Sequence, residues 1–142
     1  MKLSAYSGDL STIDYLSFVV VDVAGKLHSV ALPRSYVSEK ILKNGIGFDA
    51  SNFGFAQVKS SDMVAVPDLS RSFVEEKDDY RTLHVMCNVM TTEGEPFAQY
   101  PRTVAQRAVE ELKKSGIGDD VKMLLELEFY VFDDVSYSTT LD

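Results

Sequence analysis

Glu126 and Glu128 are the residues of this chain best spaced for chemistry; a single leucine separates them in Val121-Lys-Met-Leu-Leu-Glu-Leu-Glu-Phe-Tyr-Val-Phe132. Successive side chains of a β-strand point to opposite faces. A strand here puts Glu126, Glu128 and Tyr130 on one face and Leu125, Leu127, Phe129 and Val131 on the other. At a rise of about 3.3 Å per residue the two carboxylates stand about 7 Å apart and repel each other wherever water is scarce. A cation beside them relieves that repulsion, and hard divalent ions such as Mg²⁺ or Mn²⁺ take carboxylate oxygens. The same pattern also describes an antiparallel strand with one wet face, in which the glutamates carry no chemistry. The leucine-rich face requires burial, and its flanks are apolar too, so the strand is expected to be internal.

Composition narrows the function classes. The chain has 142 residues, room for one ordinary domain or a small domain plus part of another. Its formal charge of −8 argues against non-specific nucleic-acid binding, which needs Lys and Arg on phosphates, and against docking on an anionic membrane. The single cysteine, Cys87, excludes an internal disulfide and suits a reducing compartment. It lies in an apolar run and is expected to be a small buried hydrophobe rather than a nucleophile. No apolar stretch approaches the ~18 residues of a membrane span. The first residues, Met1-Lys-Leu-Ser-Ala-Tyr, show no apolar signal-peptide core. A soluble, cytoplasmic protein is the expectation.

The elements that must position the glutamates follow from local pattern. Residues 1–14 are polar and mixed, an arm or short helix. Tyr15 to Asp22 and Leu27 to Leu32 are rich in residues that suit a pleated surface, and Gly25 between them marks a hairpin turn. His28 has no second ligand at metal-like spacing and is read as structural. Pro33 is expected to open a helix running to about residue 43, with Val37 and Ile41 on its buried stripe and Asn44-Gly45 as its stop. The glycine-rich stretch 45–55 is expected to be a loop whose Phe48, Phe53 and Phe55 need burial, against this chain or a partner. Ser61 to Asp68 is expected to be a short strand closed by Pro67, and the charged residues 69–81 a solvated loop. Leu83 to Met90 is a further strand. Pro101 opens a second helix with Val104, Ala105, Ala108, Val109 and Leu112 on one face and Gly116 at its end.

A hairpin, a helix and further strands over residues 1–97 predict an α+β fold of ubiquitin-like β-grasp topology. Residues 98–142 hold one helix and one strand, too little for a core of their own. Strand edges left unpaired are a liability that natural domains avoid. A partner chain, or sequence beyond residue 142, is therefore expected to cover Val121 to Phe132.

Three stretches in this order resemble the N-terminal part of the glutamine synthetase family. Phe48-Asp-Ala-Ser-Asn-Phe-Gly54 is similar to the family's Phe-Asp-Gly-Ser-Ser-Ile/Phe-Gly loop, and Ser61-Asp-Met-Val-Ala-Val-Pro-Asp68 to its Ser-Asp-Met-x-Leu-x-Pro-Asp segment. Leu125-Glu-Leu-Glu-Phe-Tyr-Val-Phe132 resembles Gly-Pro-Glu-x-Glu-Phe-Phe-x-Phe. The resemblance implies a β-grasp domain followed by the first helix and strand of an incomplete α/β catalytic barrel. It implies an ATP-dependent condensation of glutamate with ammonia through γ-glutamyl phosphate. Glu126 and Glu128 would then be ligands of divalent metals, Mg²⁺ or Mn²⁺, that neutralise charge on the transferred phosphoryl group. Asp49 would lie in a loop reaching the neighbouring subunit's active site, binding ammonium and accepting its proton. Ser51, Asn52 and Asp62 would be its substrate-adjacent neighbours. Glutamate, ammonium and ATP are the implied ligands, and self-association into dodecamer-like rings the implied assembly.

The chain departs from the family pattern at Ala50 and Asn52, beside the implied ammonium site, and at Leu124, Leu125 and Leu127 around the glutamates. Tyr100 stands where the family commonly has an aspartate before Pro-Arg, which removes a good helix N-cap. These departures leave the acceptor open between ammonia and larger amines such as polyamines. A non-catalytic β-grasp assembly module is the alternative from another class. The 142 residues alone are expected to have no ligase activity and only weak metal affinity, because Mg²⁺ normally takes about six oxygen ligands.

Overall fold

A computed structural model describes residues 6, 8–53 and 61–139. Its strands are β1 (Tyr15–Val21), β2 (Leu27–Pro33), β3 (Ile46–Asp49), β4 (Asp62–Lys77) and β5 (Tyr80–Thr91), and its helices are α1 (Glu39–Asn44) and α2 (Pro101–Ser115). The five strands form one sheet in the order β2-β1-β5-β4-β3. β1 runs antiparallel to β2 and parallel to β5, so two hairpins are joined through parallel central strands, the β-grasp arrangement.

Period-two patterning explains the core. Leu83, Val85, Cys87 and Val89 alternate along β5 and are all fully buried, as are Leu16 and, nearly so, Phe18 and Val20 on β1. Met63 and Ala65 of β4, Ile13 ahead of β1, Val37 ahead of α1, Ala50 after β3 and Tyr100 ahead of α2 complete the cluster. Cys87 is a buried hydrophobe as expected, and burial pushes its thiol up to about 12.

The β1–β2 hairpin turns at Gly25, whose φ is +82°. One Asp22 carboxylate oxygen accepts the amides of Ala24 and Lys26 at 2.9 and 2.8 Å, and the other contacts His28 Nε2 at 2.8 Å. That pairing gives His28 the structural place expected of it. A 3-10 turn at Leu10–Thr12, capped by Asp9, fills the part of the N-terminal arm that is described.

Four expectations are corrected. Pro33 ends edge strand β2 opposite Tyr15, where its missing N–H costs nothing. The helix starts instead at Glu39, because the Ser38 hydroxyl caps it by accepting the Ile41 amide. The glycine-rich stretch contains strand β3 and a 3-10 turn at Ser51–Phe53. Gly45 lets this strand approach β4: its φ is +79°, and a Cβ there would lie 2.3 Å from the Ala65 carbonyl oxygen.

The third correction concerns β4, which runs far past Pro67. The register shifts between Pro67 and Ser72, and the strand then continues with β5 into an exposed hairpin that turns at Asp78. Side chains pair across the ribbon, Glu76 with Arg81 at 2.9 Å and Glu75 with His84 at 3.1 Å. The charged residues of this stretch hide the strand in the sequence, although Ser72 is buried and Val74, opposite Leu83, packs against the core.

The expected internal strand at Val121 to Phe132 also differs. Val121 to Phe132 forms no strand, and its Leu125, Leu127, Phe129 and Val131 are at least 80% exposed. Among the described residues no strand pairs with it. The alternation is present, but pairing needs a partner.

Helix α2 begins and ends as expected, with Pro101 in its first turn and Gly116 in the left-handed conformation after it. Tyr100 makes no side-chain cap; its ring is fully buried in the sheet's core instead. Arg102 makes an ion pair with Asp68 in the β4 irregularity and tethers the helix there. Beyond Thr103 the helix stands off: Val104, Ala105 and Ala108 of its apolar face are exposed, and Val109 and Leu112 only half-buried.

Candidate functional site

Asp49 is the last residue of edge strand β3 and lies opposite Asp62, the first residue of β4. Directly opposed residues of an antiparallel pair share a face, with Cβ atoms about 4.5–5.5 Å apart. Both aspartates are exposed. The ladder continues one step further, from the Ala50 amide to the Ser61 carbonyl at 2.8 Å, so the junction of strand and turn is held on both sides.

The turn after β3 serves the Asp49 carboxylate. Asp49 Oδ1 accepts the Ser51 amide at 2.9 Å. That backbone hydrogen bond, with side-chain hydrogen bonds from Ser61 and Ser51, holds the carboxyl below the usual aspartate range. Asp49 is therefore a fixed anion at neutral pH, facing a second carboxylate across the ladder. Such an arrangement favours a small cation over a neutral ligand.

Ala50, one of the departures from the family pattern, has its methyl group fully buried in the core. Alternation along the chain explains this, since the residue after an exposed Asp49 points inward. Ser51 is half-buried beside the carboxylate. The Asn52 backbone belongs to the 3-10 turn, and its side chain lies outside what is described.

Two of the three aromatic residues of this stretch, Phe48 and Phe53, find burial within the chain. Phe48 and Phe53 pack against the core, with their rings edge-to-face at 5.2 Å, and Phe53 meets the His28 ring edge-on at 4.5 Å. Phe55 falls outside the described residues.

Glu126 and Glu128 lie on the exposed C-terminal segment. Among the described residues no group of three or more His, Cys, Asp or Glu side chains is arranged to hold a metal ion. Two carboxylates supply too few of the roughly six oxygens a hard divalent cation takes, so these residues alone do not make a metal centre. A groove of about 640 Å³ between α2 and the β4 irregularity is lined by Arg71, Arg102, Gln106 and Lys113 among others, and includes neither Asp49 nor the two glutamates. No described helix is long and apolar enough to cross a membrane.

What sequence reasoning missed is the support of Asp49. The Asp-Ala-Ser order carries the signal for it, since an Asp side chain readily accepts the amide two residues on. The contact of His28 with Phe53 had no local signal.

Comparisons with known proteins identify the family of the fold. A family profile described as "Glutamine synthetase, beta-Grasp domain" matches residues 12–92, which contain Asp49 and Asp62. The chain is 37% identical over 130 residues to a glutamine synthetase of Cereibacter sphaeroides, a match covering 90% of this chain and 28% of that protein. It is 30% identical over 131 residues to the 3-hydroxylaminophenol mutase of Cupriavidus pinatubonensis, covering 91% of this chain and again 28% of the relative. In fold it is similar to the Plasmodium falciparum glutamine synthetase seen by electron cryomicroscopy, with a TM-score of 0.69 and 22% identity over 78% of this chain and 21% of that one. The chain thus spans somewhat over a quarter of the length of the curated relatives it matches.

Proposed function

Because the chain belongs to the glutamine synthetase family through its β-grasp domain, we propose that it is the N-terminal part of an ATP-dependent glutamate–ammonia ligase. The observation that carries this reading is the place of Asp49. It lies inside the family match, exposed at the end of an edge strand, with its carboxylate held ionised and opposed to Asp62.

In this reading Asp49 binds ammonium. Its lowered pKa makes it a good partner for a cation and a weak acceptor of protons, since a general base works best with a pKa near the operating pH. Of the two roles the resemblance implies, cation binding is the one its surroundings favour. Asp62 opposite it completes an anionic rim, and Ser51 holds the Asp49 carboxylate in place. Ala50 adds its methyl to the core rather than to the rim, so this departure does not narrow the acceptor site.

Glu126 and Glu128 are proposed to contribute to a divalent-metal site, for Mg²⁺ or Mn²⁺, whose other ligands and most of whose ATP site lie outside these residues. In the same reading the exposed apolar residues of 121–132 and of α2 are covered by the rest of a catalytic domain. The Asp49 turn faces a neighbouring subunit of a cytoplasmic ring.

The test is a γ-glutamyl transfer assay on the polypeptide isolated from its source, with ATP, glutamate, and ammonia and polyamines as competing acceptors. Glutamine formation that collapses in Glu128→Ala is the expected result. Transfer only to polyamines would move the reaction within the family. No γ-glutamyl product at all would leave the chain as a non-catalytic assembly module.

A further inference from the structure

His28 and Phe53 come from opposite edges of the sheet. His28 lies on edge strand β2 opposite Val20, and Phe53 closes the turn that follows edge strand β3. Strands β1, β5 and β4 lie between them in the sheet order. The two rings nonetheless meet, with centroids 4.5 Å apart at 83°. The sheet is therefore curled enough that its two edges approach, and these side chains touch across the gap.

Each partner is held from behind. Asp22 Oδ2 lies 2.8 Å from His28 Nε2, and a carboxylate only accepts, so Nε2 carries the proton and the ring plane is fixed. The other oxygen of Asp22 is committed to the hairpin amides of Ala24 and Lys26, so the carboxylate cannot swing away without opening the turn. On the far side the Phe53 amide donates to the Ala50 carbonyl at 3.1 Å, and Phe48 packs edge-on against the Phe53 ring at 5.2 Å. The Ser51–Phe53 turn so fixed is the one whose Ser51 amide holds the Asp49 carboxylate.

We infer that His28 is a positioning residue for the Asp49 turn, acting through Phe53, with Asp22 setting its orientation. The hairpin and the turn then form one clasp across the mouth of the sheet, and loosening either end loosens the other, because coupling between two sites is reciprocal. The consequence for ammonium binding rests on the ligase reading of Asp49; the clasp itself does not.

Amide hydrogen exchange on the 142-residue chain, with no substrate present, tests it. Edge-to-face ring pairs are worth enough to change local opening about two- to tenfold. His28→Ala should speed exchange at Ser51 and Phe53 by that factor while Leu83 and Val85 in the central strand keep their rates. Phe53→Leu should do the reciprocal thing, speeding Ala24 and Lys26 in the hairpin, and it carries the test if His28→Ala does not fold. Unchanged rates at the distant end in either variant, or an equal rise throughout the central strand, would overturn the clasp. Failure here leaves the ligase reading intact, and failure of the transfer assay leaves the clasp intact.

Discussion

The Tyr100 hydroxyl donates to the carbonyl oxygen of Cys87 across 3.0 Å. The Tyr100 hydroxyl oxygen in turn accepts the Val21 amide at 3.4 Å, so one buried phenol ties the entry of α2 to both central strands. Burial pushes this tyrosine's pKa up, outweighing the hydrogen bond from Val21. Tyr100→Phe keeps the ring and loses the hydroxyl; it should destabilise the fold by about 1–2 kcal/mol, read from urea unfolding. Tyr100→Ala also empties a large core position and should cost about 3–5 kcal/mol. Equal midpoints for Tyr100→Phe and the wild type would mean that the hydroxyl's bonds contribute nothing.

Acid should weaken the tether between α2 and β4. Burial raises the Asp68 carboxyl's pKa, but hydrogen bonds from Ser70 and Arg102 and the charge of Arg102 outweigh it and leave it below the ordinary value. A carboxyl with a depressed folded pKa adds stability above its unfolded value of about 3.9, and that stability is lost as pH falls through the folded value. Asp22, held down first by its hydrogen bond to His28, and Asp49 act in the same direction. Thermal midpoints should therefore fall steadily below about pH 4, and Asp68→Asn should show a shallower fall than the wild type. Identical pH profiles for the two proteins would remove Asp68 from this account.

The C-terminal segment makes no contribution to the core. Met123, Leu124, Leu125 and Leu127 are each at least 80% exposed. Exposed apolar patches of this kind promote association. A chain shortened to residue 118 should keep the thermal midpoint of the longer one and aggregate less at high concentration. A clear drop in the midpoint would mean that this segment packs on the sheet in solution.

The sequence made some of these features legible and hid others for physical reasons. Hairpin β1–β2, strand β5 and helix α2 announce themselves because each is bounded by a turn residue and shows its own apolar pattern. The start of helix α1 is ambiguous in the sequence because Pro33 and Ser38 are both good helix openers, and only the tertiary position of Pro33 in an edge strand decides between them. The distal half of β4 is crowded with charged residues, so it looks like a loop until its pairing with β5, Glu76 opposite Arg81, is seen. In Val121 to Phe132 the strand pattern is genuine, yet a strand is a relation between two segments, and no described segment pairs with this one. Asp49 could be named from its motif and its bond from the Ser51 amide is local, but the Ser61 hydrogen bond and the Phe53–His28 contact are tertiary.

The proposed function stands most directly on Asp49. The decisive measurement is glutamine formation by the source polypeptide and its Asp49→Asn variant as ammonium is varied. Removing the charge while keeping the shape should raise the KM for ammonium and cut kcat/KM by at least about a hundredfold, as expected for loss of a group that stabilises a bound cation. It should leave the affinity for ATP unchanged. A variant with the wild-type dependence on ammonium would contradict the assignment of Asp49.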